Sequence, residues 1–172
     1  MNWEINFLNE IGKIHNSILN PIMKIMSYLG SGGIVFIILG AVFLLNKKQR
    51  KMGITILIAL ALCGVFGNLL IKPMVGRIRP YIRYNIPIIV PPPMGASFPS
   101  GHTYSAFATA MSSWYYNRKL SAFLFGFAVL MGFSRMYLYV HYPTDVLAGA
   151  LLGAVLAAVS YKIVNKLYKK KS

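Results

Sequence analysis

The chain has 172 residues, 56% of them hydrophobic, with a mean hydropathy of +0.58. Eighteen Lys and Arg stand against three acids, a formal charge of +15. The apolar share exceeds the ~45–50% of soluble domains, and long uncharged runs separate the charges into clusters. An ordinary soluble domain is thereby excluded, and a membrane protein with basic loops fits better than a nucleic-acid binder.

The length fits one domain, residues 1–172. Cys63, the single cysteine, lies in an apolar run, so no intrachain disulfide can form. The N-terminus lacks a basic region followed by a clean apolar core, and no cleavable signal peptide is expected. Residues 1–29 place Trp3, Ile5, Phe7, Leu8, Ile11, Ile14, Ile18 and Leu19 at roughly helical spacing, with polar residues between. This predicts an amphipathic helix lying in the membrane interface, broken at Asn20-Pro21. Ile25 to Leu45 carries no charge and is long enough for one span, with Gly30, Gly32 and Gly33 loosening its start. A basic loop follows at Asn46–Lys51, then a second uncharged run from Met52 to Ile71.

Lys72 to Ser100 is rich in Pro, Gly and Arg, and Pro91-Pro92-Pro93 excludes a helix there. Its part Tyr81–Phe98 is largely apolar, either a membrane-dipping flap beside an access groove or a plain surface loop. Three further apolar runs follow. Thr103–Asn117 ends in Trp114, Tyr115 and Tyr116, Leu120–Ser134 ends at Arg135, and Val146–Tyr161 carries a Gly149-x3-Gly153 spacing that lets another helix approach. The last three reach span length by including active-site residues at one end and snorkelling lysines such as Lys162 at the other. The expected fold is an all-α integral membrane bundle of five, or six, transmembrane helices with an N-terminal amphipathic interfacial helix.

With five spans, Lys47, Lys48, Arg50, Lys51, Arg118, Lys119, Lys162, Lys166, Lys169, Lys170 and Lys171 fall on one side, which the positive-inside rule makes cytoplasmic. Lys72, Arg77, Arg79, Arg83 and Arg135 then fall on the other side with His102 and His141. Cations there work against the orientation rule, which points to a functional use.

Three pieces converge at that outer face. In Lys72–Pro80, Lys72 is a point charge and Arg79 a planar fork able to hold two phosphate oxygens, although such a loop is also common at helix ends. In Pro99-Ser100-Gly101-His102, Ser100 is an N-cap, Gly101 lets the backbone approach a ligand, and the free N–H groups of a helix start favour phosphate. Ser134–Asp145 adds Arg135 as a second fork and His141 four residues before Asp145, the chain's only aspartate. An isolated His-x3-Asp also describes a core histidine satisfied by an acid; the convergence with the other two pieces favours chemistry.

One carboxylate near the cluster is too few for a two-metal site, so no metal and no cofactor are expected. A Ser-His-Asp acyl transfer would leave the converging cations without purpose. A covalent phosphohistidine route remains: His141, oriented by Asp145, attacks phosphorus, while Lys72, Arg79, Ser100, Gly101 and Arg135 hold the oxygens. His102 protonates the leaving group and then activates water.

The motifs K-x6-R-P, P-S-G-H and S-R-x5-H-x3-D, bracketing residues 72–145, resemble those of the type 2 phosphatidic acid phosphatase superfamily. That group includes lipid phosphatases, undecaprenyl-diphosphate phosphatases, glucose-6-phosphatase and vanadium haloperoxidases. The resemblance implies the same roles for His141, His102 and Asp145, and an α-helical membrane bundle with its site facing outward. It makes the expected partners a lipid phosphate and the bilayer, with no nucleic acid, in a bacterial plasma membrane. Undecaprenyl diphosphate is the first choice of substrate; phosphatidylglycerol phosphate or phosphatidic acid is the alternative, and a non-enzymatic transporter the remote one.

Overall fold

A computed structural model describes residues 2–169; Lys170 and Lys171 of the C-terminal basic cluster lie outside the described residues. The single helix expected over residues 1–29 is two, α1 (Asn2–Gly12) and α2 (Leu19–Leu29). The break falls at residues 13–18, not at Asn20-Pro21. There the Asn16 side-chain oxygen accepts from the N–H groups of Ile18 (2.9 Å) and Leu19 (2.8 Å), forming a turn that opens α2. Pro21 sits in the first turn of α2, where its missing N–H costs nothing. With 11 residues, α1 is about 16 Å long at 1.5 Å per residue, too short to cross an apolar layer of ~30 Å. It buries Ile5, Leu8 and Ile11 and exposes Trp3 and Phe7.

The charge-free run from Ile25 to Leu45 is also divided. A short turn at Ser31–Gly33, with Gly32 and Gly33 at φ of 61° and 70°, joins α2 to α3 (Ile34–Leu45), and the pair is bent by 46°. Positive φ at both positions is what glycine supplies without strain. After the basic loop, α4 (Arg50–Cys63) runs on through a π-helical stretch, Gly64–Ile71, into the single turn α5 (Lys72–Val75). A second single turn, α6 (Pro80–Arg83), opens the linker that leads to α7 (Gly101–Trp114). Asn117 caps α8 (Arg118–Tyr137) by accepting from Leu120 N–H at 3.0 Å, and α9 (Pro143–Lys169) closes the bundle.

No strand occurs among the described residues. Three helical stretches among them are long and apolar enough to cross a membrane, or four when the bent α2–α3 pair acts as one span. With 14 residues, α7 falls short of the ~20 a span needs. It is the hub, packed between α8 and α9 and against α4, with Thr103, Ser105, Thr109, Ser112 and Ser113 all buried. A helix buried on every side can carry hydroxyls if they bond locally. Thr109 and Ser113 donate to the carbonyls one turn back, at 2.8 and 2.9 Å.

The expected close approach at Gly149 and Gly153 is present. A Cβ on Gly149 would stand 2.7 Å from the Ser100 carbonyl oxygen, and one on Gly153 would meet the Tyr104 carbonyl and the Ala108 amide. These neighbours are backbone of α7, which cannot step aside. The basic segments share one end of the bundle: Lys51 lies over the Tyr168 ring, Thr55 meets the Tyr116 hydroxyl at 2.9 Å, and Tyr115 stacks on Tyr161 with centroids 3.9 Å apart.

Because α7 presents backbone to Gly153, Gly153→Ala is expected to cost about 1–3 kcal/mol and to lower the unfolding temperature in detergent. Gly126→Ala on α8, where an added methyl meets nothing, should leave that temperature unchanged or raise it.

Candidate active site

The opposite end of the bundle gathers the polar motifs. Lys72 stands at the exit of the π-helical stretch, a helix form that recurs at functional sites. Arg79 precedes α6, His102 lies in the first turn of α7, Arg135 in the last turn of α8 and Asp145 in the first turn of α9. His141 is not helical. It sits in the loop between α8 and α9, where the Arg135 carbonyl accepts from the N–H groups of both Val140 and His141. The four-residue spacing still brings His141 to Asp145, because Asp145 Oδ2 folds back to accept from Tyr142 N–H at 2.9 Å.

Lys72, Arg79, Gly101, His102, Arg135 and His141 line one cavity of about 430 Å³, whose wall continues over Gly30, Gly33, Asn68, Tyr104 and Ser105. Six of the eight residues expected from the motifs therefore meet at one space. Asp145, fully buried, stands behind His141 with its Oδ2 3.5 Å from Nδ1. Arg79 NH1 donates to His141 Nε2 at 3.2 Å. An arginine only donates, so Nε2 is the basic nitrogen and Nδ1 carries the proton, facing Asp145. Burial lowers the His141 pKa to about 3; Arg79 and Arg135 add to that, and Asp145 opposes it. The ring is neutral at physiological pH. His102 turns its Nε2 to the Ser27 carbonyl at 3.0 Å, so that nitrogen holds a proton.

Ser100 differs from expectation. It occupies the N-cap position of α7, yet its side chain caps nothing. It is fully buried, its Oγ accepts from the Thr103 hydroxyl at 2.9 Å, and its N–H donates to the Asp145 carbonyl. It is not among the residues that line the cavity.

Arg79 is 3% exposed and donates to the carbonyls of Met94, Gly95, Ala96 and Val140, while Lys72 donates to Ala96. The linker end, residues 94–96, is thus clamped over the site by the same cations that would hold an anion. Arg135 is 1% exposed; its NH1 donates to the Ser27 hydroxyl at 2.5 Å, and its Nε has no partner among the described residues. A buried guanidinium that lines a cavity together with two imidazoles suits an anion.

Three contributors were not anticipated, and Arg77 was expected only as one of the outer-face cations. Ser27 links His102 to Arg135. Ser97 donates to Asp145 Oδ2 at 2.5 Å and lies 3.4 Å from His141 Nδ1. Arg77 bridges Asp145 and Glu4, both at 2.5 Å. Arg77 lies inside the first motif, and Ser97 two residues before the second. Ser27 and Glu4, distant in sequence, carried no local signal.

A helical bundle apolar enough for a bilayer, with buried cations around a pair of imidazoles at one end, defines a membrane protein that handles phosphorylated ligands. Comparison with known proteins agrees. Residues 51–169 match the PAP2 superfamily. Undecaprenyl-diphosphatase BcrC of Bacillus subtilis (strain 168) is 29% identical over 153 residues, covering 89% of this chain and 79% of that protein. The crystal structure of Aquifex aeolicus LpxE superposes with a TM-score of 0.76 at 28% identity, covering 93% of this chain and 95% of the other. That of a transmembrane PAP2 type phosphatidylglycerolphosphate phosphatase from Bacillus subtilis gives 0.72 at 27% identity, covering 100% and 89%. The chain belongs to the PAP2 superfamily, and it is a phosphatase of the membrane lipid-phosphatase kind.

Two measurements probe this geometry. Arg135→Lys keeps a charge but removes the fork and the free Nε. At about 1.5–3 kcal/mol for a charged hydrogen bond, inhibition by inorganic phosphate should weaken roughly ten- to hundredfold. The second concerns acid. An unfolded imidazole protonates near ~6.5, whereas folded His141 does so only near about 3. Between those values the unfolded chain binds the extra proton, so stability falls as pH drops through that window. His141→Asn should reduce this acid sensitivity in detergent melting curves.

Proposed function

We propose that this protein is a metal-independent lipid phosphatase acting through a phosphohistidine at His141, with undecaprenyl diphosphate as its substrate. The observation that carries the reading is the placement of His141. Its neutral ring is held between Asp145 and Arg79, on the wall of a cavity that His102 and Arg135 also line.

His141 Nε2 attacks phosphorus, and the bond from phosphorus to the leaving oxygen breaks. Lys72, Arg79, Arg135 and the Gly101 amide take up the negative charge of the phosphoryl oxygens. His102 keeps one N–H on the Ser27 carbonyl; its other nitrogen takes up a proton once the phosphate anion lies beside it and gives that proton to the leaving oxygen. The neutral ring then takes a proton from water as the water oxygen attacks phosphorus. The phosphorus–nitrogen bond breaks and inorganic phosphate leaves. Asp145 stabilises the charge that the His141 ring carries between the two steps. Ser100, turned to Thr103, shapes the start of α7 rather than touching phosphate.

The likeness to an undecaprenyl-diphosphatase over 89% of the chain favours the diphosphate. Phosphatidylglycerol phosphate is the second reading, favoured by the superposition on a phosphatidylglycerolphosphate phosphatase. In the full arrangement we place α7 as a fifth crossing, completed at its ends by the linker and the Tyr115-Tyr116 pair. The basic end faces the cytoplasm, and the catalytic end meets the outer surface of a bacterial plasma membrane.

Purified protein should release phosphate from undecaprenyl diphosphate, in competition with phosphatidylglycerol phosphate and phosphatidic acid, and retain activity in EDTA. His141→Ala, His102→Ala and Arg135→Ala should each lower turnover at least a thousandfold in folded protein. Rapid quench should trap an acid-labile, alkali-stable phosphoenzyme. Activity of His141→Ala within tenfold of wild type would exclude the covalent route.

A further inference from the structure

Arg77 does not line the cavity. It sits behind the catalytic pair, its side chain 15% exposed, with its guanidinium 3.9 Å above the Tyr142 ring. NH1 donates to Asp145 Oδ1 at 2.5 Å and to the Thr144 hydroxyl at 2.7 Å; NH2 donates to Glu4 Oε2 at 2.5 Å. The other Glu4 oxygen accepts from the Thr144 hydroxyl at 2.6 Å. Glu4 belongs to α1, is 1% exposed, and is held there by Ile5 and Leu8 packing against Tyr142. One of three acids in the chain is thus carried by a short helix to the back of the site.

Charge balance gives this placement a purpose. Asp145 faces His141, but alone with Arg77 it would be neutralised. With Glu4, the Glu4–Arg77–Asp145 row carries one net negative charge. The His141 ring becomes cationic when its Nε2 bonds phosphorus while Nδ1 keeps its proton. Arg79 and Arg135 oppose that cation from the cavity side, so the negative charge must come from behind. Charges at such short range in a dry interior interact strongly.

We propose that Glu4 and Arg77 are positioning residues for the phosphohistidine step. Arg77 fixes the Asp145 carboxylate, and Glu4 offsets the Arg77 charge so that Asp145 can support the cationic His141 ring. The N-terminal helix is therefore a functional part of the site rather than only an interfacial anchor. This inference rests on the phosphohistidine reading above.

The test is a double-mutant cycle on the full-length protein in detergent. It uses 32P-labelled undecaprenyl diphosphate or phosphatidic acid, whichever the wild type turns over faster, and follows phosphoenzyme formation in single turnover. Glu4→Gln should slow formation at least tenfold and lower kcat equally, with KM within twofold, because neither residue touches substrate. Adding Arg77→Gln removes the uncompensated positive charge, so the double variant should form phosphoenzyme at least threefold faster than Glu4→Gln alone. A purely structural bridge would make the double variant equal or worse, and that result would overturn the proposal. So would Glu4→Gln within twofold of wild type. If Glu4→Gln does not fold, the comparison of Arg77→Gln with the double variant decides. The two should agree within threefold, and a tenfold further loss from removing Glu4 would refute the charge coupling. A wild type that forms no phosphoenzyme would sink the covalent reading itself, a result distinct from a normal wild type with an unaffected Glu4→Gln.

Discussion

Four cations, Lys72, Arg77, Arg79 and Arg135, are packed into one end of an apolar bundle where only two carboxylates, Glu4 and Asp145, are within reach. Burying a charge without a partner costs several kcal/mol, and removing a partner from a buried pair costs as much. Most of this polar end can be understood as a distribution of oxygen atoms around those cations. Arg77 takes both carboxylates. Arg79 and Lys72 take backbone carbonyls, chiefly from residues 94–96. Arg135 takes a single hydroxyl and is left with a free N–H. The supply of protein oxygens runs out at Arg135, on the cavity where the function proposed above seats a phosphate.

That arrangement depends on α7 being held centrally. Its first turn brings Gly101 and His102 to the cavity, and the absence of side chains at Gly149 and Gly153 lets α9 lie directly on its backbone. Beside this contact Ser100 N–H bonds the Asp145 carbonyl, so the motif that starts α7 is tied to the motif that starts α9. Packing and chemistry are therefore not separable here. A shift of α9 along α7 would move Asp145 away from His141.

Much of this could be read from residue spacing. The three motif pieces, the glycine pair on α9 and the shared end of the basic segments all follow from local pattern, because each depends on residue type at fixed separations along one element. What could not be read has a common cause. Glu4 lies in the N-terminal segment far from every motif, yet it pairs with Arg77 across 73 positions of sequence. Ser27 looked like part of an apolar run, yet it joins His102 to Arg135. Partners chosen by tertiary packing leave no periodic trace. The N-terminal break was misplaced because Pro21 is equally at home in a first turn, and only the Asn16 hydrogen bonds reveal which case applies. Ser100 had the residue type of a cap, but Thr103 competes for its oxygen. Composition marked α7 as a small-residue helix, and its buried hydroxyls show that protein encloses it.

The position of the site at the bundle end follows from the same shortage of oxygens. Near the middle of an apolar layer, a guanidinium as poorly supplied as Arg135 would be costly in the empty state, since neither water nor headgroup could reach it. At the end of the bundle the loops 94–96 and 138–142 bring carbonyl dipoles to its neighbours Arg79 and Lys72, and the cavity opens beside Met94, which is 94% exposed. The protein can therefore keep a cationic pocket folded without ligand and still leave one donor unsatisfied. In the orientation proposed above, a phosphate carried on a lipid would meet the site where the headgroup region begins, with no path through the apolar interior. The geometry that makes the pocket tolerable to the fold is thus also the geometry that suits it to a lipid headgroup.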